Sequence, residues 1–209
     1  MTLQKEVVMI LNDKQIETLC TRENPMIEPF LGYQDRGTAN SPRISSGLSS
    51  FGYDITLAPE FKAYNSAFSV HQDSKKWGLV VDPLNFNGDD LLESFVVSDE
   101  VGYTVVPPHG YFLGRSLEYI RMPDNVSALL LTKSTYARVG CFLNTTPMEA
   151  GWVGHITLEI ANLTDRPIKL YTRQGIGQLQ FFQGERPKVT YADRKGKYQN
   201  QIGIVLPIG

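Results

Sequence analysis

Short apolar runs separated by proline and glycine dominate the chain, and the period of their polar and apolar positions changes once. Near the start it is helical. Asn12 is a good N-cap, Gln15 stands three positions later as in a capping box, and Ile16 and Leu19 supply apolar positions at helical spacing. This predicts a helix over about 12–20. Beyond it the runs are short and β-rich. Candidate strands are 53–57, 60–63, 79–81, 94–97, 102–106, 111–117, 128–132, 154–162, 168–171 and 176–182. Many short strands at fairly even spacing, with turn signals between them, predict an all-β sandwich or barrel. One further helical turn is expected at 134–139. Residues 64–78 are the most polar, loop-like stretch, and 187–209 read as a polar, basic surface arm. No internal repeat interrupts 1–209, which reads as a single domain.

Composition narrows the function classes. The 209 residues suffice for a self-sufficient core. A formal charge of −2 gives no reason to expect a nucleic-acid or membrane surface. An anionic ligand must therefore be met by a few placed cations. Only Cys20 and Cys141 are present, without CxxC spacing, and His71, His109 and His155 are scattered. A cysteine-rich zinc site and the zinc-deaminase signature are both excluded on this count. The thiols read as reduced cysteines of a cytoplasmic protein, and the start MTLQKEVVMIL does not read as a signal peptide.

Three stretches carry candidate chemistry. The apolar run 128–131 ends abruptly in Thr132-Lys133-Ser134-Thr135-Tyr136-Ala137-Arg138-Val139-Gly140. Ser134 as cap and Gly140 as stop would leave free backbone N–H groups beside Lys133 and Arg138, an arrangement suited to phosphate. An ordinary capped surface helix has the same spelling. In 154–162, Ile156, Leu158 and Ile160 share one face, expected to be core, and His155, Thr157, Glu159 and Ala161 share the other. Glu159 is either a solvated sheet glutamate or a carboxyl group facing a cleft or subunit interface. In the second case burial raises its pKa towards ~6–7, suited to proton transfer. His155 is left out of the site. The third stretch, Tyr191 to Gln201, is dense in donors and aromatics and suits either a frayed end or a tail closing over a nucleotide.

Together these segments resemble the dCTP deaminases of the trimeric dUTPase-like superfamily. KSTYARVG at 133–140 is similar to the family's [RK]-S-[ST]-x-A-R-x-G signature, and EAGWVGHITLE at 149–159 to its acidic-x-G-W-x-G…LE run. SSFGYD at 49–54, VDP at 81–83, YIRMP at 119–123, YAD at 191–193 and GKYQ at 196–199 resemble one bacterial branch, in order along the chain. The resemblance implies a distorted jelly-roll-like β-barrel assembled as a homotrimer, with active sites between subunits. It implies hydrolytic deamination of dCTP to dUTP with release of ammonia, feeding dUMP and dTTP synthesis. Magnesium would come with the triphosphate, without zinc, and dTTP would inhibit.

By the same resemblance, Glu159 is the catalytic acid/base, with Ser134 and Arg138 supporting the reaction. Lys133, Ser134, Thr135, Tyr136, Ala137 and Arg138 meet the phosphates. Thr157 and Leu158 hold the pyrimidine, and Gln178, Tyr191, Lys197 and Gln201 close over the nucleotide. Glu149 stands where bifunctional relatives carry an aspartate linked to splitting dUTP, and the stretch 64–78 looks longer than usual, as a surface insertion. A dUTP diphosphatase, a bifunctional enzyme and a non-catalytic nucleotide sensor are the alternative readings. The C-terminus lacks the glycine-rich, arginine-bearing motif usual in diphosphatases.

Overall fold

The computed structural model describes residues 9–64, 81–84, 86–88 and 92–208. The N-terminal helix forms as its spelling requires: α1 spans Asp13–Cys20 behind the N-cap Asn12. Gln15 N donates to Asn12 Oδ1 at 3.1 Å, and Asn12 N donates to Gln15 Oε1 at 3.0 Å, so two otherwise orphaned donors are satisfied reciprocally. Ile16 and Cys20 bury the inner face.

All-β architecture accounts for the rest. One sheet contains β1 (Met9–Ile10), β3 (Gln34–Thr38), β4 (Ser41–Ser49), β5 (Gly52–Thr56), β10 (Val126–Thr132) and β14 (Gly175–Gln183). Strand β14 is its spine: β10 pairs along most of its length, and β5 and β1 also pair with it. The second sheet contains β2 (Ile27–Glu28), β6 (Glu60–Tyr64), β7 (Leu92–Val96), β9 (Tyr111–Arg121), β11 (Cys141–Asn144) and β12 (Val153–Asn162), in the order β11-β12-β9-β6-β7 with β2 beside β9. A small pair joins β8 (Tyr103–Val106) to β13 (Ile168–Tyr171). Inward side chains of both large sheets, among them Tyr53, Ile55, Phe61, Leu158, Ile160 and Phe181, pack into one cluster. Burial of this apolar surface is the main force holding the sheets together.

Several elements differ from the sequence expectation. The hairpin β3–β4 was not predicted because its strands are polar and lie at a sheet edge, where no apolar alternation is needed. Strands β1, β2 and β11 were also missed, being two to four residues long. The expected strand 79–81 lies outside the described residues except for Val81, which is in no strand; the stretch 64–78 lies outside them beyond Tyr64. The expected turn at 134–139 is a shorter helix, α2 (Ser134–Ala137), and its N-cap is Lys133, not Ser134.

Candidate active site

Strand β12 places the central carboxylate. Pairing with β9 and β11 puts Glu159 opposite Leu113 on one side and Asn144 on the other. Ile156, Leu158 and Ile160 point into the core, so Thr157 and Glu159 point out of it. The Glu159 carboxylate is half-buried and accepts from Asn144 Nδ2 at 2.7 Å. Burial raises its pKa above the usual carboxylate value, and the Asn144 bond, which favours the ionised form, opposes that rise. Nearby, burial and then the Glu159 charge push the Tyr111 phenol up to about 12, so it stays protonated beside the carboxylate.

Glu159 opens into a cleft of about 810 Å³, lined also by Thr157, Glu149, Tyr191, Lys197 and Gln201. Tyr111, Leu113, Met148, Trp152 and Ile156 supply an aromatic and apolar wall. Thr145 Oγ1, on the same lining, is buried and has no hydrogen-bond partner among the described residues. An unsatisfied buried hydroxyl costs about 1–3 kcal/mol, which a polar ligand would recover.

The C-terminal segment is built onto this cleft. Asn200 N donates to Val153 O at 2.8 Å, His155 N to Gln201 O at 3.0 Å, and Trp152 Nε1 to Tyr198 O at 3.0 Å. The Gln201 side-chain amide donates to His155 O, and Val205 N donates to Thr157 Oγ1 at 3.2 Å. The approach is possible because residue 154 is glycine: a Cβ there would stand 2.7 Å from Gln201 Cγ and 2.9 Å from its carbonyl oxygen. Arg194 pairs with Glu149 and lies 5.0 Å from the Tyr191 ring, and Tyr191 Oη accepts from Tyr198 N at 3.0 Å. Of the two readings of this tail, the frayed end is therefore excluded for the described residues.

The residues expected to meet phosphate are not in the cleft. None of Lys133 to Arg138 lines it. Ser134, Thr135, Ala137 and Arg138 are exposed, whereas Tyr136 is buried in the core, where its hydroxyl oxygen accepts from Tyr171 N at 2.9 Å. The Tyr136 side chain is thus structural. Lys133 is turned to the fully buried Asp54, which also accepts from Gln34 Nε2 at 2.9 Å and Gln178 Nε2 at 3.2 Å. Gln178 further donates to Ser49 Oγ at 3.1 Å and lies outside the cleft. Leu158 has no exposed surface, so its side chain belongs to the core and only its backbone remains available. Nor does Arg138 enter the surroundings of Glu159 in the chain, where Asn144 holds that carboxylate instead. His155 does not line the cleft; its Nδ1 accepts from Gly203 N at 3.4 Å and its ring packs edge-on to Tyr119.

The expected site residues accordingly fall into two groups: a carboxylate cleft closed by the tail, and a cationic turn displayed elsewhere on the surface. Asn144, Thr145, Tyr111 and Asp54 were missed as functional candidates. Asp54 stood in the quoted SSFGYD motif, but its partners come from three distant segments. Asn144 becomes visible only once β11 is paired with β12.

The all-β fold is shared with a solved structure: a crystal structure of the 2'-deoxycytidine 5'-triphosphate deaminase from Agrobacterium tumefaciens aligns with a TM-score of 0.56 at 18% identity, over 85% of this chain and 48% of that one. Residues 10–184 match the family model described as dCTP deaminase-like. The dCTP deaminase of Erythrobacter litoralis is 46% identical over 95% of this chain and 98% of its own length, and that of Campylobacter curvus is 46% identical over 90% and 91%. The chain belongs to the dCTP deaminase family.

Proposed function

We propose that the protein hydrolytically deaminates dCTP to dUTP, with ammonia as the second product. One observation carries this reading: in a chain of this family, Glu159 stands half-buried on the outward face of β12, in a cleft large enough for a nucleoside and roofed by the chain's own C-terminal segment. In the proposed reaction Glu159, ionised, takes a proton from water as the oxygen adds to C4 of the cytosine ring. It passes that proton to N3, then takes the proton of the new C4 hydroxyl and delivers it to the leaving amine, so that C4 gains a carbonyl and ammonia departs. General acid–base catalysis of this kind contributes about 10²–10⁴-fold. In this reading Thr157 and the Leu158 backbone would hold the pyrimidine, and Tyr191, Lys197 and Gln201, which line the cleft, would close over the nucleotide.

The cationic turn supports a homotrimeric arrangement in which a neighbouring subunit supplies Ser134, Thr135 and Arg138 to this cleft. Strand β10 favours that assembly. Its inward residues Val126, Ala128 and Leu130 are buried, yet its outward residues Leu129 and Leu131 are also apolar and 43% and 51% exposed. Phe142 on β11 and Leu163 beyond β12 add to the exposed apolar surface. A strand apolar on both faces belongs in an interior, here one completed by other copies. Across the interface Ser134 would orient the water and Arg138 would oppose the rise in the Glu159 pKa.

Magnesium fits as a companion of the triphosphate, not as a caged cofactor. Among the described residues no three His, Cys, Asp or Glu side chains gather as ligands, and Glu149 and Glu159 are each engaged by a partner. Magnesium of this kind is held largely by phosphate oxygens and water. The Glu149–Arg194 pair makes Glu149 an anchor for the tail, which counts against a role in splitting dUTP. The setting is cytoplasmic in this reading, with dTTP as a feedback ligand.

The decisive experiment follows ammonia and pyrophosphate from dCTP and dUTP. Ammonia from dCTP, lost by at least about 10²-fold in Glu159→Gln, is the expected outcome. Near wild-type ammonia release by that variant overturns the assignment of Glu159; pyrophosphate from dUTP without ammonia from dCTP overturns the reaction.

A further inference from the structure

The hairpin β3–β4 forms a second concavity, of about 440 Å³, lined by Arg36, Arg43, Ser45, Thr135, Tyr171 and Gln174. It adjoins the cationic turn through Thr135 and is distinct from the Glu159 cleft. Arg36 is oriented within the chain. Its Nε and Nη2 both donate to Gln34 Oε1, at 3.0 and 2.6 Å. Gln34 Nε2 in turn donates to Asp54 Oδ2, the oxygen that also takes the Lys133 ammonium. Asp54 has no exposed surface. One buried carboxylate therefore fixes two cations from separate elements, Lys133 directly and Arg36 through an amide.

The opposite wall is Arg43, which donates to the Arg173 carbonyl and lies 3.5 Å from Asp35. Lys133, Arg36 and Arg43 thus stand against two carboxylates, Asp54 and Asp35, and Asp54 is enclosed. A guanidinium carries five N–H donors, and Gln34 occupies two of those of Arg36, so three remain for another acceptor. Two guanidinium groups and a hydroxyl around one concavity suit a tetrahedral, multiply charged anion, with arginine favoured over lysine for its fork of donors. Pre-orientation by Gln34 reduces the ordering cost of binding.

We propose that Arg36, Arg43 and Thr135 form a binding subsite for the outer phosphates of a nucleotide polyphosphate chain, extending the surface of the Lys133–Arg138 turn. The subsite rests on the reading of that turn as phosphate-binding. A free polyphosphate anion has the same chemistry and would occupy it too.

Calorimetric titration of the full-length protein with dCTP, dCMP and inorganic tripolyphosphate tests this. In the double variant Arg36→Ala/Arg43→Ala, the dCTP and tripolyphosphate affinities are expected to fall about tenfold or more, with dCMP binding unchanged. In turnover the loss should sit in KM for dCTP and not in kcat. Arg36→Lys/Arg43→Lys should recover part of the affinity. Gln34→Ala, which keeps every charge but frees Arg36, should give an intermediate loss and decides the matter if the double variant does not fold. Equal losses for dCTP and dCMP, or no loss for either, overturn the proposal. So does dissociation of the oligomer in light scattering, which would make these arginines partners of a carboxylate on another copy. If the wild type releases no ammonia from dCTP while tripolyphosphate binding still depends on the arginines, the deaminase reading fails and the subsite stands. Ammonia release with silent arginines has the opposite meaning.

Discussion

Asn144 and Glu159 face each other across the β11–β12 ladder, and the Asn144 amide donates to the Glu159 carboxylate at 2.7 Å. The bond stabilises the ionised form, which in the proposed reaction accepts a proton from water. Its removal adds to the effect of burial, so the Glu159 pKa rises further in Asn144→Ala. A base works above its pKa, so the acid limb of the kcat/KM profile against pH should move to higher pH. Hydrogen bonds to charged groups contribute about 1.5–3 kcal/mol, equivalent to a displacement of about one to two pH units. A pH–rate profile from pH 5 to 9 checks the direction; a limb that stays in place would mean that Glu159 is not the titrating base.

Separation of Glu159 from Arg138 within the chain has a second consequence. If each site takes Glu159 from one subunit and Arg138 from the next, Glu159→Gln and Arg138→Ala chains are each inactive alone but complement one another. In a mixed trimer one of three sites carries both wild-type residues. Random assembly at equal amounts should then restore about a quarter of the wild-type activity over all trimers, and about a third in the mixed trimers alone. Co-expressed, differently tagged chains, purified as mixed oligomers and assayed for ammonia, measure it. Activity no higher than that of the separate variants would place the two residues in one chain's site or in none.

How much of this was legible depends on the range of the interactions. The capping box of α1 is local, four residues long, and reads directly from Asn12 and Gln15. The alternation around Glu159 is also local, and it placed that carboxylate on the outward face correctly. Tyr136 sits inside a motif read as phosphate-binding, yet its partner is the backbone of Tyr171, 35 residues away, so its burial could not be foreseen. Lys133 is similar: its partner Asp54 lies 79 residues away and is itself held by Gln34 and Gln178 from two further strands. The edge hairpin β3–β4 escaped notice because its polar strands carry little apolar signal, although it bears both arginines of the second concavity.

Gly154 governs the seating of the tail. A methyl group at this position would meet the Gln201 backbone and side chain at under 3.0 Å, and the backbone φ of 153° is one that side chains disfavour. Gly154→Ala should therefore release the segment from Tyr198 to Val205 without dismantling the sheets, since Val153 and His155 keep their β9 partners. Limited proteolysis should cut the C-terminal segment in the variant and spare it in the wild type. Nucleotide affinity should fall with it. A tail as resistant as in the wild type would show that the hydrogen bonds of Gln201 are not what secures it.

Glu118 ties stability to pH. Its carboxyl group is 2% exposed, and both of its oxygens accept from Thr56 N, at 3.1 and 2.9 Å. Burial outweighs these bonds and pushes its pKa up from 4.5 to about 7. The folded state thus holds the proton more tightly than the unfolded chain does. Between the two values the unfolded state binds fewer protons, so stability falls as pH rises. The contribution is fully present below about pH 4.5 and is lost as pH climbs through about 7, amounting to about 3 kcal/mol in all. Glu118→Gln stays neutral and removes this penalty. It should raise Tm at pH 8 by several degrees, at about 2–4 °C per kcal/mol for a chain of this size, and leave Tm at pH 5 nearly unchanged. Calorimetric scans of both proteins from pH 5 to 8 make the comparison. Parallel curves, with the same offset at both ends, would mean that the Glu118 carboxylate ionises no more reluctantly in the fold than in the unfolded chain.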